Sequence, residues 1–146
     1  MNDRRQLCTL RIGELLLGID VGKIQEVLRD VSLTPVPLAH PAIRGLINLR
    51  GQIVTAIDLR RRLGLEGLDE TAGFPTMVLD SVDEPVALMV DSVGDVVDVD
   101  AESFEAPPDT LRGEARRMIE GAHKLERELL LVLNLGAVVN LREPGA

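Results

Sequence analysis

The sequence predicts a mostly β protein built from two similar halves. Its apolar residues fall in many short runs separated by Gly, Pro, Asp and Ser, as is typical of short strands joined by turns. These residues are mainly Leu, Val, Ile and Ala, with two Phe and no Trp or Tyr, and the branched ones favour strands. The second half of the chain also repeats the pattern of the first. From the residues alone, small barrels and sandwiches are both open.

The first half of the chain opens with a predicted hairpin. Residues 7–12 and 15–19 are apolar runs on either side of Gly13-Glu14, which fits a two-residue turn. Residues 22–28 fit either a short helical turn or a strand. The three prolines between residues 35 and 41 then keep the chain extended and irregular.

A second predicted hairpin follows, with residues 46–49 and 53–57 as its strands and Arg50-Gly51 at its bend. Gly can adopt the positive φ that such a bend requires. Residues 53–57 are largely apolar on both faces, which predicts a strand that is covered on both sides. Asp58 then fits the N-cap of a short helix that ends at Leu63.

The internal repeat divides the chain into two copies. Its aligned segments are residues 43–59 with 119–135 at an offset of 76, residues 23–27 with 92–96 at an offset of 69, and residues 15–21 with 84–90 at the same offset of 69. The extra residues of the second copy fall in 104–117, a predicted exposed loop. We therefore expect a single domain over 1–146 with two subdomains, at about 7–65 and 76–141.

Composition restricts the partners and the compartment. The formal charge is −8, which opposes binding to nucleic acid or an anionic membrane and favours a basic protein partner. The basic run Arg60 to Arg62 is interpreted as a solvated helix face. No apolar run approaches about 18 residues and no signal peptide is recognised, so we expect a cytoplasmic protein without a membrane-spanning helix. Cys8 is then a small buried apolar residue.

Motifs for catalysis or metal binding are not found. His40 and His123 have no ligands at metal-binding spacing and are interpreted as surface or loop residues. A small hydrolytic or ligand-binding barrel using Glu26, Asp58 or Asp91 stays open as a rival class, although nothing in the sequence places two carboxylates at the spacing that catalysis needs.

The repeat separates residues that the fold requires from residues that function requires. Ile24 and Gly45 have residues of the same type in the second copy, so they look structural. Glu26 and Arg50 both align with acidic residues, so only the first copy can form an acid–arginine pair. Exposed pairs add little stability, whereas arginine is enriched at the centre of protein interfaces. Arg50 is therefore a candidate partner contact, with an ordinary exposed turn residue as the alternative.

Several segments resemble the CheW family of chemotaxis coupling proteins. The resemblance covers residues 7–141, and its motifs are Gly18-Ile19-Asp20, Ile24-Gln25-Glu26-Val27, Pro41-Ala42-Ile43-Arg44-Gly45, Asn48-Leu49-Arg50-Gly51, Ile57-Asp58-Leu59-Arg60, and Val90-Asp91-Ser92-Val93 with Asp95-Val96.

The resemblance implies two pseudo-duplicated, five-stranded SH3-like β-barrels with short helices around a shared apolar interior. It also implies a non-enzymatic adaptor without cofactor or metal. Such an adaptor couples the cytoplasmic tips of methyl-accepting chemoreceptors to the regulatory domain of a CheA-type histidine kinase in a membrane-associated array. A CheW-like adaptor of a non-motility pathway is the alternative. The implied partner-binding residues are Arg50, Glu26, Ile24, Gly45 and Asn48.

Overall fold

The computed structural model describes residues 4–67, 73–80 and 84–141, which form ten strands and three short α-helices. The first copy contains β1 (Arg4–Ile12), β2 (Leu15–Asp20), β3 (Ile24–Leu28), β4 (Ile43–Leu49), β5 (Gln52–Asp58) and α1 (Leu59–Arg62). The second copy contains β6 (Thr76–Leu79), β7 (Val86–Met89), β8 (Ser92–Asp100), α2 (Gly113–Met118), β9 (Ile119–Lys124), β10 (Leu129–Leu133) and α3 (Leu135–Val139).

The strands form two five-stranded sheets of identical topology. Sheet A has the order β8-β1-β2-β10-β9 and sheet B the order β3-β6-β7-β5-β4. The mostly β fold class is therefore confirmed. The sheets do not coincide with the segments 7–65 and 76–141, because each sheet takes its first hairpin from one copy and its other three strands from the other. Antiparallel pairing inside each hairpin is local. The copies are joined by antiparallel pairs, β1 with β8 and β3 with β6, and by parallel pairs, β2 with β10 and β5 with β7.

The two edges of each sheet are brought together by the chain that follows an edge strand. After β3, Thr34 exchanges two backbone hydrogen bonds with Leu46 of β4, at N···O distances of 2.9 and 2.8 Å. After β8, Glu105 makes the same exchange with Ala122 of β9, at 2.8 and 2.9 Å. Each sheet therefore curls towards a barrel by the same device.

The apolar core has three layers. The largest cluster lies between the sheets and contains Leu10 and Leu17 of sheet A together with Ile57 and Leu88 of sheet B. A smaller cluster fills each sheet on its other side. β5 contributes to the cluster between the sheets and to the smaller cluster of sheet B. It is therefore covered on both faces as predicted, except that Ile53 is 54% exposed.

The arginines of α1 hold the fold together, so their interpretation as a solvated face was wrong for two of the three. Arg60 donates from Nε to Oδ1 of Asp91 at 2.7 Å and from Nη2 to Oδ2, and Asp91 also accepts the Gly13 amide at 2.7 Å. We call this contact, which joins α1 to the β1–β2 turn, the Arg60–Asp91 clamp. Arg62 is 5% exposed and donates to carbonyls at the end of α3: Val138 at 2.9 Å, Ala137 at 2.6 Å and Asn140 at 3.3 Å.

Two further segments refine the sequence-based assignment. Residues 22–28 contain both of the open alternatives, since a 3₁₀ turn at Val21–Lys23 leads directly into β3. The predicted loop 104–117 overlaps α2, because Met118 is fully buried and draws this turn of helix onto the core.

Candidate partner-binding site

Arg50 lies at the apex of the two-residue turn between β4 and β5. Its φ is 50° and that of Gly51 is 85°, the pair of positive values that defines a type I′ hairpin turn. The Oδ1 atom of Asn48 accepts a hydrogen bond from the Gly51 amide at 3.1 Å. Asn48 therefore fixes the turn that presents Arg50.

The guanidinium of Arg50 is held by Glu26 of β3. Nη1 donates to Oε1 at 3.3 Å and Nη2 to Oε2 at 2.5 Å, and the two side chains are 65% and 27% exposed. The hydrogen bond to Glu26, and then the negative charge of Glu26, raise the pKa of Arg50 above its ordinary value. Since β3 and β4 are opposite edges of sheet B, this permanently charged fork lies across the junction of the two edges.

Two of the five predicted contact residues lie below this surface. Ile24 is half-buried and packs against the core between the sheets. Gly45 is buried, and a Cβ atom there would lie 2.7 Å from the carbonyl oxygen of Thr34. Gly121, its counterpart in sheet A, is also tightly enclosed, because a Cβ atom there would lie against the Phe104 ring and 2.6 Å from Glu105 O. The structure thus brings Arg50, Glu26 and Asn48 together, while Ile24 and Gly45 support the sheet beneath them.

The corresponding hairpin of the second copy is built differently. Glu126 stands at the position of Arg50, and neither it nor Arg127 has a positive φ. Glu128 follows, and it accepts hydrogen bonds from Arg11 of β1 at 2.7 and 3.2 Å. Asp95, the counterpart of Glu26, is acidic like Glu126, so these two positions carry no ion pair. Arg11–Glu128 is thus an exposed two-bond pair that links β1 of sheet A to the turn before β10.

Exposed apolar side chains lie close in sequence to the Arg50–Glu26 pair. Val27 of β3 is 40% exposed, and Ile53, two residues after the turn, is 54% exposed. Leu38, in the irregular segment before β4, is fully exposed and has a φ of 60°. Arginine is enriched at the energetic centre of protein interfaces, and the buried centre of an interface is more apolar than its rim.

The carboxylates proposed for the rival catalytic class are all engaged. Asp58 is fully buried and caps α1, accepting the Arg60 amide at 3.0 Å and the Arg61 amide at 3.4 Å. Burial by itself raises the pKa of Asp91, but the bonds from Arg60 and the Gly13 amide outweigh burial and lower it. Glu26 is bound to Arg50. The lowered pKa of Asp91 favours its ionised form, which makes it a poor proton donor.

His123 is buried, so its interpretation as a surface or loop residue was wrong. It lies in β9, opposite Leu130. The Ser103 hydroxyl donates to Asp100 O at 2.8 Å, so His123 Nδ1 must donate to Ser103 Oγ at 2.8 Å. Burial, and then the charge of Arg5, lower the pKa of His123. The ring therefore donates to the serine and does not activate it as a nucleophile.

The internal repeat of the sequence indicates that His123 is buried. His123 aligns in the repeat with Ile47, which is 4% exposed. His40 is partly buried, and its Nδ1 accepts the Ala42 amide at 3.0 Å. Within residues 4–67, 73–80 and 84–141, no group of three or more His, Cys, Asp or Glu side chains is arranged to hold a metal ion.

Comparison with known proteins places this geometry in context. Residues 6–143 match the model of the CheW-like domain. The chain belongs to the CheW-like family. Among curated proteins, it is 28% identical to the chemotaxis protein CheW of Treponema pallidum over 98% of this chain and 87% of that protein. It is 31% identical to CheW of Bacillus subtilis over 84% of this chain and 79% of that one.

A solved structure agrees with the family assignment. The scaffolding protein TtCheW of Thermoanaerobacter tengcongensis superposes with a TM-score of 0.79 at 29% identity, over 92% of this chain and 90% of that one. Membership of the CheW-like family makes the chain a non-catalytic scaffold of chemotaxis signalling, as its resemblance implied. Among the helices that the structure describes, none is long and apolar enough to cross a membrane.

Proposed function

We propose that the chain couples the cytoplasmic tips of chemoreceptors to the regulatory domain of a CheA-type histidine kinase. In this proposal it works in the cytoplasm and joins membrane-associated arrays through its partners. Arg50 and Glu26 orient one of the two partners, and Asn48 sets the turn that carries them. Gly45 and Ile24 contribute by shaping sheet B.

The observation that carries the proposal is the state of the Arg50 side chain. Its guanidinium is 65% exposed, yet two bonds to Glu26 fix its position on a tight turn. Holding a planar donor fork in place before association reduces the entropy that is lost when a partner binds. A residue kept only for stability would gain little from so exposed a pair.

The pathway that the scaffold serves has two candidates. One controls flagellar motility, and the other is a chemosensory system with a different output. Both use a receptor and a kinase of the same kinds, so the proposed contacts are common to both.

Binding measurements with Arg50→Glu test the role of Arg50. Arg11→Glu is the matched control, because Arg11 also forms an exposed two-bond pair with a glutamate. Each variant is titrated against a purified receptor-tip fragment and, separately, against a kinase regulatory domain, with the melting temperature recorded in parallel.

We expect Arg50→Glu to abolish capture of at least one partner while Arg11→Glu binds both, with little change in either melting temperature. Unchanged binding of both partners by Arg50→Glu would overturn the role of Arg50. An equal loss for both variants would show that the effect is one of overall charge.

A further inference from the structure

A cleft of about 480 Å³ lies where α3, the end of β2 and the β6–β7 pair meet. Ligand sites are typically about 300–1,000 Å³, so its size is sufficient for a bound group. The cleft shares no residue with the Arg50 site. It is therefore a separate candidate surface, and its interpretation does not depend on the proposed function.

The repeat relates this cleft to the Arg60–Asp91 clamp. Gly136 of α3 aligns with Arg60 at the offset of 76, and Gly22 aligns with Asp91 at the offset of 69. Gly136 lines the cleft, and so does Lys23, the neighbour of Gly22. The two flanks of the molecule are equivalent in topology, but one is joined by the clamp and the other has glycine at both positions.

The wall of the cleft suits an arginine side chain, which the second copy lacks at the position of Arg60. Its apolar part includes Leu79, Val86, Leu133, Leu135 and Val139. Such a surface suits the methylene stem of a long cationic side chain, which buries its stem and keeps its charge at the polar rim.

The polar part of the wall has an excess of negative charge. Asp20, Asp80 and Glu120 face two cations, Arg5 and Lys23. Arg5 is shared between Asp20 at 3.1 Å and Glu120 at 3.8 Å, and the Asp20 and Glu120 side chains are 46% and 42% exposed. Carboxylates that share one cation and lie open to solvent can accept a second donor, and a guanidinium fork fits them best.

We propose that this cleft binds an arginine side chain of a partner protein, which takes the place that Arg60 takes on the equivalent flank. The apolar wall receives the stem, and the carboxylates at the rim receive the guanidinium. The first copy thus supplies its own arginine, Arg60, whereas on the flank of the second copy the arginine comes from a partner protein.

Amide chemical-shift titration of the full chain tests the proposal. The probe is the capped peptide Ala-Leu-Arg-Leu-Ala, and its control is the same peptide with citrulline, which has the shape of arginine without the charge. We expect shifts at Lys23, Asp80, Glu120 and Gly136 with the arginine peptide, and about tenfold weaker binding of the citrulline peptide.

Two variants at one position sharpen the test. Gly136→Arg restores the residue of the first copy, so it should fill the cleft and abolish the shifts, whereas Gly136→Ala should bind like the wild type. A Cβ at Gly136 would approach nothing closer than Asn134 Oδ1 at 3.5 Å, so both should fold. Asp80→Asn should weaken binding without filling the cleft.

Three results would overturn the proposal. They are the absence of shifts at the cleft with millimolar peptide, equal binding of the arginine and citrulline peptides, and unchanged binding by Gly136→Arg. Because neither kinase nor receptor takes part, these results are independent of the test of Arg50.

Discussion

Arg50 of the β4–β5 turn and Arg60 of helix α1 are ten residues apart in sequence. Both the turn and the helix place arginine beside carboxylate or carbonyl oxygens, but with opposite exposure. Arg62 is 5% exposed, and the side chain of Arg60, which is paired with Asp91, is 28% exposed. The Arg50 side chain is 65% exposed. The difference shows that burial separates two kinds of arginine in this chain: one enclosed by its own chain joins structural elements, and one held at the surface keeps its guanidinium where another protein can reach it.

The largest expected effect comes from the most buried arginine. Arg62→Ala removes the donor for three carbonyls of the α3 terminus, and buried acceptors without partners are costly. We expect a loss of about 2–4 kcal/mol in the free energy of unfolding, measured by urea denaturation. A loss below about 0.5 kcal/mol would break the comparison, because α1 would then be a solvated face after all.

A smaller loss is expected from the glycines beneath the sheet edges. Gly45→Ala forces a Cβ against the Thr34 carbonyl oxygen at a φ of 153°. Gly121→Ala forces one against the Phe104 ring and the Glu105 carbonyl oxygen. Each substitution should therefore cost about 1–3 kcal/mol of stability. Similar losses for the two variants in unfolding experiments would show that Gly45 supports sheet B as Gly121 supports sheet A. If Gly45→Ala instead lost partner binding with unchanged stability, Gly45 would be a direct contact, and the separation between surface and support would fail.

A pH-dependent effect is expected at the Arg60–Asp91 clamp. The pKa of Asp91 is lowered on folding, so the clamp contributes stability above the unfolded pKa, about 3.9, and loses it as the pH falls through the folded value. Asp91→Asn should therefore be about 1–2 kcal/mol less stable than the wild type from pH 7 to 5. The gap should narrow below about pH 4. A gap that does not narrow at all as the pH falls below about 4 would show that the carboxylate charge is not its source.

The sequence predicted the structural features that depend on residues close together in the chain. The hairpins around Gly13 and Gly51 and the cap of α1 by Asp58 follow from local turn and capping chemistry, and the structure contains all of them. The Arg50–Glu26 pair also forms, as the asymmetry of the repeat indicated. Its role with a partner stays a proposal.

The exchange of hairpins between the copies could not be predicted in the same way. A hairpin shows the same apolar pattern whether it joins its own copy or the other, because the choice depends on contacts that are distant in sequence. The burial of Arg62 was missed for another reason, since charged residues are rarely buried. Its repeat partner is Val138, an apolar core residue, so comparison of the copies held the correct signal.

The most direct test of the central claim exchanges the charges of the exposed pair. The double variant Glu26→Arg/Arg50→Glu keeps an internal ion pair but inverts what a partner meets, and Arg11→Glu/Glu128→Arg does the same at the control pair. With both melting temperatures near that of the wild type, we predict that only the first variant loses capture of a kinase regulatory domain or receptor tip. Capture of both partners at wild-type strength by the exchanged Glu26–Arg50 pair would contradict the account, because the pair would then act only within the chain.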